Sequence, residues 1–194
     1  MEPQVVVIGA ARMDEIRDRR GLLEAPAGAG IDTAALLARR GIRTALLAAV
    51  ADDADGRRIR ATLADLRVRL LALDAPEGTL RRRVIVGGME PVVHWDGSPM
   101  PWADAAGEER CAEAVAAALE GVRVVVRAEP EAWRVRIPDG VHVTIDLGGD
   151  EPRIRGTAMA PEDRMLADAV LGAVGEAPAD ATGRLARSLG RIET

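Results

Sequence analysis

The sequence predicts an α/β protein with a mostly parallel sheet covered by helices on both faces. Three observations carry this. Short apolar runs of strand length recur: QVVVIG at 4–9, RTALLAAV at 43–50, VRVVVRA at 122–128 and VHVTIDLG at 141–148. Such runs, apolar on every residue, fit strands buried on both faces. Segments with apolar residues at helical spacing stand between them, and strands alternating with helices lead to a parallel sheet.

The elements follow in order. After the strand at 4–9, DTAALLARR at 32–40 reads as a helix, with Asp32 as its N-cap and Gly41 as its stop. RTALLAAV is the second strand. ADGRRIRATLADL at 54–66 is a helix with Ile59, Leu63 and Leu66 on one face. VRLLAL at 68–73 is a strand. TLRRRVIVG at 79–87 and PVVHW at 91–95 flank Gly87-Gly88 and read as a hairpin. GEERCAEAVAAALEG at 107–121 is a helix, then come the strands at 122–128 and 141–148. PEDRMLADAVLGAV at 161–174 and PADATGRLARSLG at 178–190 are helical. One domain spans 1–194, and the pair at 79–95 forms a β flap within it.

Composition narrows the chemistry. All 26 basic residues are arginine, and lysine, asparagine, phenylalanine and tyrosine are absent. A P-loop cannot be written without lysine. The net charge of −5 argues against nucleic acid as a partner. No run of 18 apolar residues predicts a membrane span, and no basic leader precedes VVVIGA, so a cytoplasmic location is expected. Cys111, the single cysteine, forms no internal disulfide and reads as a small core residue of its helix.

The bland readings of the polar residues stand beside any functional one. Asp14 lies in the charged stretch DEIRDRR and fits a solvated carboxylate. Asp52, Asp53 and Asp55 read as a solvated loop, not a metal site. Arg81 and Arg83 share a strand face that is solvated or protects an edge. His94 and His142 lack partners for a triad or a metal. No catalytic residue and no metal ligand is assigned.

Four stretches then match a known pattern in order and spacing. They are VVVIGAARMDEI at 5–16, APAGAGIDTAALLARRG at 25–41, LLAAVADDADGRRI at 46–59 and the strand pair at 79–95. Over residues 5 to about 128 the chain resembles the PfkB family of carbohydrate and nucleoside kinases, the ribokinase-like fold. The resemblance implies a three-layer fold with a mostly parallel sheet, a small β flap as lid, and a C-terminal part missing. It implies that Asp14 accepts hydrogen bonds from two hydroxyls of a sugar or nucleoside. It implies that Gly28, Ala29 and Gly30 bring backbone close to that ligand. Asp32 stands where the family has asparagine, and Ala51 where it has glycine. His94 on the flap would touch the ligand, and pairing of flaps would make a homodimer.

The family's D-x-x-G-A-G-D motif, which supplies base and anion hole, has no counterpart here. DLGGD at 146–150 and DATGRLA at 180–186 each hold only part of the spelling. Three functions stay open: an ATP- and magnesium-dependent kinase of a sugar or nucleoside hydroxyl; a degenerate, non-catalytic relative that binds a small molecule or pairs with an intact kinase; and different chemistry in the same crevice with Asp14 or Asp32 as acid or base.

Overall fold

The computed structural model describes residues 2–87, 90–98, 100–102, 105–149, 151–156 and 159–175. The predicted helix at 178–190 and the Gly88 end of the predicted hairpin turn lie outside these residues. Two sheets organise the chain. The larger contains β1 (Val5–Ile8), β4 (Thr44–Ala49), β5 (Arg69–Leu73), β8 (Val124–Arg127), β9 (Val143–Asp146) and β10 (Arg153–Arg155). Its order is β10-β9-β8-β1-β4-β5, and only β10 runs antiparallel to its neighbour.

Every residue of β1, β4, β8 and β9 is buried, as their apolar spelling requires. Val5, Val7, Leu46, Ala48, Val126 and Ile145 face one side. There they meet α1 (Ala29–Arg39), α2 (Ala54–Asp65) and α4 (Pro161–Gly175). Val6, Ile8, Ala45, Leu47 and Val125 face the other side, under α3 (Ala105–Ala118). Burying one such side chain contributes about 1.5–3 kcal/mol, so the two clusters fix the sheet between its helix layers. Cys111 sits in the second cluster, as expected.

The second sheet contains the predicted flap and extends it. It has four strands in the order β3-β2-β6-β7: β2 (Arg12–Asp18), β3 (Gly21–Ala27), β6 (Arg81–Ile85) and β7 (Val92–Asp96). The antiparallel pair of β6 and β7 was expected; the β2–β3 hairpin was not. Arg81 is also not simply solvated. Its guanidinium meets Glu15, Glu24 and Asp55 at 2.7, 2.8 and 2.6 Å, which ties this sheet to α2. Arg83 pairs with Glu15 and Asp96.

The acidic loop is likewise more than solvated. Asp53 is the N-cap of α2, accepting from Gly56 N at 2.7 Å. The same carboxylate accepts from Thr79 N at 2.7 Å and Thr79 Oγ1 at 2.9 Å, at the entry to β6. Burial raises its pKa, but these bonds outweigh burial and leave it below the usual value. No helix of the described residues is long and apolar enough to cross a membrane.

Candidate functional site

The site is built where β1 ends and the chain crosses to the second sheet. Gly9, Ala10 and Ala11 make that crossing. The Ala10 carbonyl accepts from Gly30 N at 3.1 Å and Ile31 N at 3.4 Å. Two free amides of the α1 N-terminus are thus satisfied by backbone. Asp32 is therefore not the N-cap: Gly28 is, with no side-chain cap, and the helix begins a turn earlier than its spelling suggested. Ala29 opens the helix and packs against the core.

The glycines of the turn have a structural reason of their own. Gly28 has φ 124°, and a Cβ there would stand 2.4 Å from the Ala10 oxygen. A Cβ on Gly30 would stand 2.6 Å from the Gly9 carbonyl carbon. On the side where a Cβ would project, both glycines face chain rather than ligand.

Strand register then assembles the side chains. Asp14, Arg82 and Trp95 lie in one row across β2, β6 and β7. Arg12, two residues from Asp14, shares that face. Arg12 Nε donates to Asp14 Oδ1 at 2.8 Å, and Arg82 Nε donates to the same oxygen at 3.0 Å while its Nη2 donates to Oδ2. Asp14 is 3% exposed, so its charge is held almost wholly by these two arginines. The Trp95 ring lies 5.7 Å from the Arg12 guanidinium carbon and 5.9 Å from that of Arg82.

Two more carboxylates feel the Arg12 charge. Asp32 is open to solvent but walled by protein, and desolvation pushes its carboxyl above the usual range. Arg12 opposes that shift and Asp14 adds to it. Glu129, just after β8, accepts from Ala10 N at 2.7 Å. Burial raises its pKa, the Ala10 bond and Arg12 lower it, and the net shift is upward.

A buried pair holds the Glu129 segment. Arg127 Nε and Nη2 meet Asp146 Oδ1 and Oδ2 at 2.6 and 2.8 Å across the ends of β8 and β9. Arg127 also donates to the carbonyls of Trp133 and Val135, which pins the 3-10 turn Pro130–Arg134 behind Glu129.

Of the residues expected from sequence, Asp14, Gly28, Gly30 and Asp32 gather at this crossing. His94 does not join them: it is in register with Arg83 and Glu15, on the opposite face of the second sheet. Sequence reasoning missed Arg12, Arg82, Trp95 and Glu129. The Arg12-x-Asp14 spacing was the available signal, once 12–18 is read as a strand. Among the described residues no group of three or more His, Cys, Asp or Glu is placed to hold a metal.

The arrangement offers carboxylate acceptors, guanidinium donors and one flat apolar ring at the carboxyl ends of parallel strands. That is where ligands of open α/β sheets bind.

Neither a family model nor a curated protein matches the chain. Solved structures do. A fructokinase from Vibrio cholerae O395 in apo form superposes with TM-score 0.53 at 16% identity, over 80% of this chain and 79% of that one. A PfkB protein from Polaromonas sp. JS666 gives 0.50 at 15%, over 95% and 96%. An uncharacterized sugar kinase from Pyrococcus horikoshii in complex with ATP gives 0.50 at 15%, over 80% and 74%. At such identities the likeness shows the fold: a mixed α/β architecture shared with PfkB sugar kinases.

Proposed function

We propose, on the premise that this chain has the ribokinase-like fold of PfkB sugar kinases, that its cleft binds a hydroxyl-rich small molecule, a sugar or nucleoside. The carrying observation is the row of Asp14, Arg82 and Trp95, with Arg12 on the same face of the second sheet, beside the crossing where Glu129 holds Ala10 N. Carboxylates accept from hydroxyls, arginines donate to ring and hydroxyl oxygens, and an indole face covers the apolar face of a sugar or base. Asp14 orients Arg12 and Arg82 as much as it accepts. The Gly28–Gly30 turn acts by seating the N-terminus of α1, and Asp32 with it, against the Ala10 carbonyl. His94 has no part in this pocket.

ATP-dependent transfer to that ligand is the second reading. It rests on the fold shared with a sugar kinase solved with ATP. In this chain ATP, carried as its magnesium complex, would be the phosphoryl donor drawn to the same strand ends. We assign no catalytic base.

Calorimetric titration with ribose, fructose, adenosine and inositol, each with and without ATP-magnesium, tests both. Saturable binding of one of them without turnover supports an acceptor-binding protein. Release of ADP in its presence supports the kinase. No binding of any polyol or nucleoside removes the first reading.

We also propose a homodimer through the second sheet. Leu22, Ile85 and Val92 lie in one row on one face, 54%, 44% and 52% exposed, and Leu23 and Val93 are 58% and 46% exposed on the other, so each face offers apolar area for pairing with a second copy. Light scattering that returns a monomer mass at working concentration would reject it.

A further inference from the structure

Helices α1 and α2 end in the same kind of turn. After α1, Gly41 N donates to Ala38 O at 3.0 Å and Ile42 N to Leu37 O at 3.1 Å. After α2, Arg67 N donates to Ala64 O at 2.9 Å and Val68 N to Leu63 O at 2.8 Å. This paired-bond stop puts the residue after the cap at positive φ, a place that favours glycine. Gly41 complies with φ 80°. Arg67 has φ 58° and is the one non-glycine residue at positive φ among the described residues. A side chain there is strained, and such outliers cluster where a side chain is needed.

The two turns border a recess of about 400 Å³ at the N-terminal ends of the strands, on the edge opposite the cleft. That volume suits a small molecule. Its floor is Pro3, Ile42 and Leu66; Arg43, Arg67 and Arg69 stand around it, all three exposed. None of the three takes part in a side-chain ion pair among the described residues. Glu2 is the one carboxylate in the lining. Each helix C-terminus adds about half a negative charge. Together with Glu2 this leaves a net positive recess in a chain whose net charge is −5.

We propose that this recess binds a small organic phosphate: a phosphate monoester whose apolar body rests on Pro3, Ile42 and Leu66 while Arg43, Arg67 and Arg69 take the anion. Free guanidinium groups on one rim match phosphate oxygens, and the apolar floor selects for an organic body over the bare ion.

Phenyl phosphate, which carries no sugar, is the probe. Calorimetry of the whole chain at low ionic strength is expected to show saturable binding, about tenfold tighter than inorganic phosphate. Arg67→Gly is expected to weaken it about tenfold, the loss of one charge-assisted bond. The same variant is expected to melt a few degrees higher, because glycine relieves the turn. Trp95→Ala, in the cleft, is expected to bind the probe as the parent does.

Parent-like binding by Arg67→Gly overturns the proposal. So does equal affinity for inorganic phosphate, or no binding by the parent. Loss of binding in Trp95→Ala overturns it too, by placing the probe in the cleft. The recess can fail while the cleft still binds a polyol, so the two readings fall separately.

Discussion

Gly30 and Gly9 are stacked backbone on backbone: a Cβ on Gly30 would stand 2.6 Å from the Gly9 carbonyl carbon and 2.7 Å from its oxygen. Real Cβ atoms do not approach backbone so closely, and neither partner is a movable side-chain tip. Gly30→Ala must shift the α1 N-terminus away from β1. We expect a loss of about 1–3 kcal/mol in urea unfolding, the range of overpacked cores. Because the shift carries Asp32 with it, binding in the cleft should weaken as well.

Asp14 is a buried anion between two arginines, so removing its charge strands both. Asp14→Asn is expected to lower stability by about 3–5 kcal/mol. The double change Asp14→Asn with Arg82→Gln leaves fewer unpaired charges and should recover part of that loss. A double-mutant cycle in urea checks the coupling; additive losses would contradict the pairing.

Asp32 gives a pH prediction. Its folded pKa lies above the ordinary 3.8, so the folded state holds the proton more tightly than the unfolded chain. Its contribution therefore falls as pH rises from 3.8 through the raised value, and the full penalty stands at neutral pH. Asp32→Asn should be more stable than the parent at pH 7, and the advantage should shrink as the buffer is taken toward pH 4. Denaturant midpoints of the two proteins across that range decide it. A constant difference would mean the carboxyl is not desolvated.

Asp53 joins the start of α2 to the start of β6. Asp53→Ala loses a helix cap, about 0.5–2 kcal/mol, and also frees Thr79. Hydrogen exchange should accelerate in β6 and β7 more than in β1 or β4. Uniform acceleration would make Asp53 a cap alone.

The main sheet was legible because burial on both faces writes a strand as an unbroken apolar run. Val5–Ile8 and Val124–Arg127 need no partner to be recognised. The second sheet was half hidden because its strands are exposed. RMDEIRD carries charge on most residues, and that charge reads as loop until its arginine partners on β6 are known. Pro26 disguised β3 further, though a proline is tolerated there because β3 is an edge strand. The same gap hid the site. Trp95 faces Asp14, and His94 does not, only through the register of three strands, which no short motif spells. Asp32 was misread as a cap because Gly28, with no side-chain oxygen, leaves the helix start unsigned.

The clasp of Arg81 on Glu15, Glu24 and Asp55 sits at the first turn of α2, and Arg67 follows its last. The 12 residues of α2 make a rod about 18 Å long. One end is pinned to the sheet that roofs the cleft, and the other borders the arginine recess. The second sheet cannot lift off α2 without breaking the Arg81–Asp55 and Arg58–Glu24 ion pairs, so a single helix reaches from the sheet beside the cleft to the recess.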